Sequence, residues 1–220
     1  FLVGEATEFA VSGIPQEADA LLIAKLLLFG AACAGLAALV CIVFHNVGHL
    51  FKKWFPNRYV CIAVGGAAVV VLTLLLGTRD YNGAGMDVIA RALAGEADGW
   101  AWLLKILFTA VTIGCGFKGG EVVPSFFVGA AFGCFMGGLL GLPAGFGGAI
   151  GLVAVFCGAV NCPVASVLLS VELFGSAGAP YFAVACALSY LLSGYCGLYS
   201  SQTILYSKLR AEFINVRTHE

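Results

Sequence analysis

Between Gly99 and Ser207 the sequence carries only four formally charged side chains, Lys105, Lys118, Glu121 and Glu172. No soluble domain can cover itself with so little charge, because about a quarter of an ordinary domain's residues are charged. Across all 220 residues the charged fraction is 10%, the hydrophobic fraction 61% and the mean hydropathy +1.00. The chain is therefore expected to be an integral membrane protein with the lipid bilayer as its surroundings. Inside its most apolar part, Gly116 to Gly138 reads GFKGGEVVPSFFVGAAFGCFMGG, which sets a lysine, a carboxylate and a proline where most neighbours belong in oil.

The apolar segments predict an all-α, polytopic fold. Ala20 to Phe51, broken only by Lys25 and the group His45, Asn46 and His49, is long enough to cross roughly 30 Å of hydrocarbon. A basic, aromatic turn holding Lys52, Lys53, Trp54, Pro56 and Arg58 follows, and the uncharged run from Tyr59 to Gly77 predicts a second span. Thr78 to Gly99 is polar and reads as an exposed loop with a short interfacial helix around Met86, Ile89, Ala90 and Leu93. Trp100 to Cys115 predicts a third helix with Trp100 and Trp102 as interfacial anchors and Lys105 snorkelling from near one end.

Beyond it, Pro124–Leu140, Gly147–Val160, Pro163–Phe174 and Gly178–Tyr195 are apolar pieces bounded by Gly or Pro, and several are shorter than the roughly 20 residues a span needs. Short, interrupted segments of this kind predict broken or re-entrant helices meeting inside a transporter. Leu198 to Glu220 starts apolar and turns charged at Lys208, Arg210, Glu212 and Arg217, so a terminal helix leading to a cytoplasmic tail is expected. The basic residues of the first turn and of the terminal segment favour the cytoplasmic side for both.

Composition also excludes whole classes of function. A net charge of −1 without a long basic run argues against nucleic acid as a partner. The nine cysteines form no C-x-x-C pair and read as small core residues, so neither a disulfide framework, a metal site nor a cofactor is expected. An intramembrane enzyme is disfavoured because no Ser/His pair or paired aspartates lie in the apolar segments. The three glutamates ahead of any basic residue do not suit a secretory signal, and a chain opening on Phe1 is expected to be a fragment or a processed piece.

The stretch GGEVVP carries the chemistry. Pro124 suits the first turn of a helix, having no N–H to leave unpaired. Gly119 and Gly120 let the preceding backbone approach closely, so an extended loop feeding a helix N-terminus is expected. Free amides and the positive end of the helix dipole would converge there, which is an anion site at membrane depth. Non-helical backbone at that depth must pack in protein or line a watery cavity. Gly129, Gly133 and Gly137 then recur every four residues, a small-xxx-small pattern that permits close helix packing.

Glu121 in that loop has three open roles: competing with a bound anion, carrying a proton, or accepting amide hydrogen bonds. Lys118 either pairs with Glu121, attracts anions at the mouth, or simply snorkels. Glu172 ends an apolar run beside Gly175, where capping a neighbouring loop is favoured over proton relay. His45 and His49 share a helix face at i, i+4 spacing, but without the H-E-x-x-H pattern a polar or interfacial helix end is favoured over zinc.

GFKGGEVVP with SFFVGAAFG, then AVNCPVASVLLSVELFG, then SGYCGLYSSQ resemble, in that order, the second half of the CLC family of anion channels and proton-coupled antiporters. The resemblance covers most of the chain, with less specific matching through GTRDYNGAG and back to the first long helix. It implies the second of two inverted repeats of broken helices, with residues 20–197 as the repeat, 1–19 a preceding loop and 198–220 the terminal helix.

It further implies an anion held by Gly120, Glu121, the amides of Val122 and Val123, the helix start at Pro124, and the hydroxyl of Tyr199. A homodimer with one pathway per subunit is implied as well. GGEV is similar to the fluoride-exporting branch, whose members exchange fluoride for protons in bacterial plasma membranes, with Val123 where that branch often carries threonine. Glu121 is then the proton-coupling candidate. The family's gating G-[KR]-E-G motif has no match here, so the first repeat is expected to come from elsewhere. A chloride channel or chloride/proton antiporter, and a non-transporting membrane assembly subunit or half of a split transporter, are the alternatives.

Overall fold

A computed structural model describes residues 19–218 together with Phe9, Val11, Gly13, Ile14, Pro15 and Glu17. Most of the expected preceding loop, residues 1–19, lies outside the described residues. Eight α-helices and a terminal β-hairpin follow in chain order.

The first helix, α1 (Ala20–Trp54), starts where the Asp19 carboxylate accepts from the Ala20 amide at 2.7 Å, and it stops just before Pro56. Asn57 caps α2 (Arg58–Leu76) through its side chain, and Gly77 at φ 64° ends it in the left-handed conformation that glycine adopts without penalty. α1 is half buried, whereas α2 exposes most of its length, with Leu74 and Leu75 at 75% and 78% exposure. Among the described residues three helices are long and apolar enough to cross a membrane: α1, α2 and α5 (Val122–Leu140).

The centre of the bundle is α6 (Ala144–Val160), buried along nearly its whole length. It packs most extensively against α5, and α1, α3 (Met86–Ala94), α7 (Pro163–Phe174) and α8 (Ala179–Leu192) also touch it. Glycine lets these backbones meet directly. A Cβ on Gly151 would fall 2.2 Å from the carbonyl oxygen of Gly129, and one on Gly145 would fall 2.3 Å from that of Leu93. Phe29, Phe127, Phe146, Ile150 and Phe182 fill the space that remains. The small-xxx-small stripe expected on α5 thus meets a matching glycine stripe on α6.

Three expectations change. Thr78–Gly99 is not simply an exposed loop, because α3 buries Val88, Ile89, Ala92 and Leu93 against α5 and α6. Lys105, on α4 (Ala101–Gly114), does not snorkel. It is 1% exposed, donates from Nζ to the carbonyls of Tyr81 (3.2 Å) and Gly83 (2.6 Å), and lies 4.8 Å from the centre of the Phe127 ring. Trp102 packs edge-on against Phe132 and is no interfacial anchor, whereas Trp100 is largely exposed as expected.

The terminal segment is also corrected. In place of a helix it forms an antiparallel hairpin, β1 (Thr203–Tyr206) with β2 (Phe213–Arg217), pairing Ile204 with Val216 and Tyr206 with Phe213. TILY and FINVR are rich in β-branched and aromatic residues, and the polar SKLRAE between them makes the connection. Lys208 in that connection reaches back to Asn161 and to Ser193 Oγ (3.1 Å), which fastens the hairpin to the ends of α6 and α8.

Candidate functional site

α4 ends at Cys115, and Gly116 turns the chain at φ 96°. Residues 116–120 are exposed, and a Cβ on Gly119 or Gly120 would meet nothing within 4 Å, so this loop is open on the side the two glycines face. α5 begins at Val122, two residues earlier than the expected start at Pro124. Proline at the third helical position still costs no hydrogen bond, because the first turn's N–H groups have no intrahelical acceptor. Glu121 occupies the cap position with φ −91° and ψ −16°, and no side chain caps the helix. Its carbonyl accepts from the Ser125 amide at 3.2 Å, and Ser125 Oγ donates to the Val122 carbonyl at 2.6 Å. The Val122 and Val123 amides therefore stand at the positive end of the helix dipole without an intrahelical partner.

Glu121, half-buried, forms part of the wall of a cavity of about 610 Å³. The last three turns of α1 also line it, through Phe44, His45, Gly48, His49 and Lys52. Phe55 and Pro56 beyond α1, Arg58 and Cys61 from α2, Ile113 to Gly116 at the end of α4, and Leu198 and Ser200 complete it. Three strands of expectation meet here: the cap of α5, the polar face of α1 and the GLYSS segment.

The expected site residues are not all equally placed. Glu121 lines the cavity, while Gly120, Val122, Val123 and Pro124 adjoin it in sequence without forming its wall. Tyr199 sits between two wall residues, Leu198 and Ser200, yet its own ring is 43% exposed outside the wall. Its backbone is held more firmly than its ring. The Tyr199 carbonyl accepts from Thr218 Oγ1 at 2.8 Å and from the Gln202 amide at 3.0 Å, and the Leu198 amide donates to Ala159 at 2.9 Å.

Lys118 is exposed and makes no ion pair with Glu121; Arg91 pairs with Asp80. That guanidinium holds the Asp80 carboxyl below its ordinary range. Glu172 is exposed on the last turn of α7 and caps nothing; the Gly175 amide closes that helix by donating to Val171.

Sequence reasoning left two groups out of the site. His45, His49 and Lys52 fall on one face of α1 at i, i+4 and i+7, and this spacing was the available signal. The second group is a polar hub behind the GLYSS segment. Asn161, in the left-handed conformation at the end of α6 (φ 58°), donates to the Cys196 carbonyl (2.9 Å) and to Gln202 Oε1 (3.2 Å) and accepts from Lys208. Asn161 lies 35 to 47 positions before its partners, so no local pattern announces it. Burial pushes the Lys208 ammonium down to about 8.

Three helices long and apolar enough to span, with shorter apolar helices bounded by Gly and Pro packed among them, define a polytopic membrane protein. The chain belongs to the voltage gated chloride channel family, whose model matches residues 1–194. A chloride/fluoride channel protein of Pseudomonas syringae pv. tomato is 38% identical over 170 residues, which cover 74% of this chain and 38% of that protein. The crystal structure of a CLC-type fluoride/proton antiporter matches with a TM-score of 0.81 at 30% identity, over 87% of this chain and 49% of that one. The chain thus spans half or less of the length of these relatives.

Proposed function

We propose that this chain supplies the anion-binding half of a proton-coupled fluoride exporter. In this reading fluoride is held near the start of α5 by the Val122 and Val123 amides, with Gly120 and Pro124 shaping the approach and Tyr199 completing the site when the rest of the protein is present. Glu121 carries the proton. The supporting observation is a carboxylate at the cap of a helix whose first amides lack acceptors, set in the wall of a polar cavity within an apolar bundle.

Fluoride is small and tightly hydrated, so releasing its water demands strong donors. A carboxylate beside the path repels it, while a protonated carboxyl donates to it. The charge on Glu121 therefore links binding of the anion to binding of the proton at one site. A homodimer in a bacterial plasma membrane, with one pathway per subunit, completes the reading.

The test is ion flux from liposomes containing the full-length protein. Fluoride efflux accompanied by proton uptake, with chloride moving far more slowly, is the expected result. Equal chloride flux without proton movement would favour a second reading, a chloride-conducting channel, for which the Pseudomonas relative's description as a chloride/fluoride channel protein is the motive.

A further inference from the structure

Glu121 shares its cavity with two exposed cations, Lys52 and Arg58, at the end placed on the cytoplasmic side, where an exporter that exchanges fluoride for protons releases its protons. Along one wall α1 presents His45, His49 and Lys52 at i, i+4 and i+7, which places them on one helix face over roughly 10 Å of rise. The two imidazole rings meet edge to face with centroids 5.1 Å apart. His45 is half-buried and His49 exposed, so the pair runs from the interior toward the solvent. Imidazole is the one side chain that gains and loses a proton near neutral pH and can do so at either of two nitrogens.

We infer that His45 and His49 are proton-transfer residues that carry protons released by Glu121 out to the Lys52/Arg58 end of the cavity. The inference rests on the proposed proton-coupled function and deepens it. Each step balances. The Glu121 carboxyl gives its proton to water in the cavity, where the O–H bond breaks and the negative charge returns. A ring nitrogen takes a proton from that water, the other nitrogen releases one to water at the Lys52/Arg58 end, and the ring returns neutral in its other tautomer. About 610 Å³ leaves room for such water, since one molecule occupies roughly 30 Å³.

The groups facing the pair fit this division of labour. Lys52 on α1 and Arg58 on α2 are cations at the mouth that draw the anion inward. Cys61 and Cys115 are buried thiols in the same wall, and Glu121 is its acidic side chain. The histidines are thus the side chains in this wall whose two ring nitrogens can take a proton on one side and release one on the other.

The experiment uses the full-length protein in liposomes, comparing wild type with H49Q and H45Q/H49Q. Proton-coupled fluoride efflux is expected to slow about tenfold or more in the double variant, with a smaller loss in H49Q. Fluoride affinity stays within twofold, and adding imidazole to the buffer restores much of the rate, which no merely structural role explains. If H45Q/H49Q does not fold, H49Q, altered at an exposed position, carries the test alone through the same imidazole rescue. Unchanged rates in a wild-type background that is proton-coupled overturn the relay and leave the function standing, with water alone carrying the proton. A wild type that moves fluoride without protons overturns both.

Discussion

A Cβ atom on Gly133 would lie 2.3 Å from the carbonyl oxygen of Gly147, and one on Gly147 would lie 2.5 Å from the carbonyl oxygen of Gly133. The two helices touch backbone to backbone, and neither oxygen belongs to a side chain that can turn away. Alanine would raise intrinsic helix propensity by about 1 kcal/mol at either position. Overpacking against fixed backbone costs about 1–3 kcal/mol or more, so the steric penalty outweighs the gain. Gly133→Ala and Gly147→Ala are each expected to lower the melting temperature of the purified full-length protein. Gly35→Ala, at a helical glycine whose added Cβ would meet nothing within 4 Å, is expected to leave it unchanged or raise it.

Lys105 ties the loop between α2 and α3 to α4 through the Tyr81 and Gly83 carbonyls. Methionine has nearly the same shape and no donor. Lys105→Met would therefore strand the acceptor of buried Tyr81, at about 1–3 kcal/mol where water cannot reach it, and release the exposed Gly83. Lower thermal stability and faster proteolysis between Thr78 and Gly85 are the expected outcomes. Resistance equal to wild type would mean that water replaces the ammonium.

The span boundaries were legible because long apolar runs and Gly/Pro punctuation are local signals. α7 matches its expected range of Pro163–Phe174, and α1 and α2 agree within a few residues. What failed depended on partners distant in sequence. Nothing near Lys105 indicates that carbonyls more than twenty positions away will take its protons. α3 looks interfacial until α6 offers Gly145 and Gly148 as a surface for it. The terminal hairpin is hidden because its charged ending has the pattern of a helix leaving the membrane, although TILY and FINVR favour strands. At the candidate site, Glu121 and the helix start were readable from GGEVVP. The wall contributed by α1 was not, because two histidines without a carboxylate match no metal pattern and their shared cavity with Glu121 is a tertiary fact.

Lys208 makes the hairpin's attachment sensitive to pH in a direction opposite to that of an exposed ion pair. Its ammonium donates to Asn161 and Ser193 and lies 4.4 Å from the Tyr190 ring centre, yet burial holds it at about 8, below the ordinary lysine value of 10.5. Between those two values the unfolded chain binds more protons than the folded one, so this group's contribution to stability rises with pH across that window. Wild type is expected to gain stability relative to Lys208→Met between pH 7.5 and pH 10, as read from unfolding midpoints at each pH. Parallel pH profiles for the two proteins would refute the assignment.

Glu121→Gln separates the two tasks proposed for this side chain. Glutamine keeps the length of the protonated acid and a donor to offer an anion, and it cannot release a proton. Fluoride affinity is therefore expected to hold or rise, because the variant mimics the protonated state permanently, while proton movement coupled to fluoride falls to background. Fluoride binding and proton uptake measured on the same reconstituted full-length protein separate the two effects. A variant that still moves protons with fluoride would transfer the coupling role to another carboxylate. One that loses fluoride binding while keeping its fold would mean that Glu121 serves the loop by accepting hydrogen bonds, since only the charged carboxylate, and not its neutral isostere, would then hold the first turn of α5 in place.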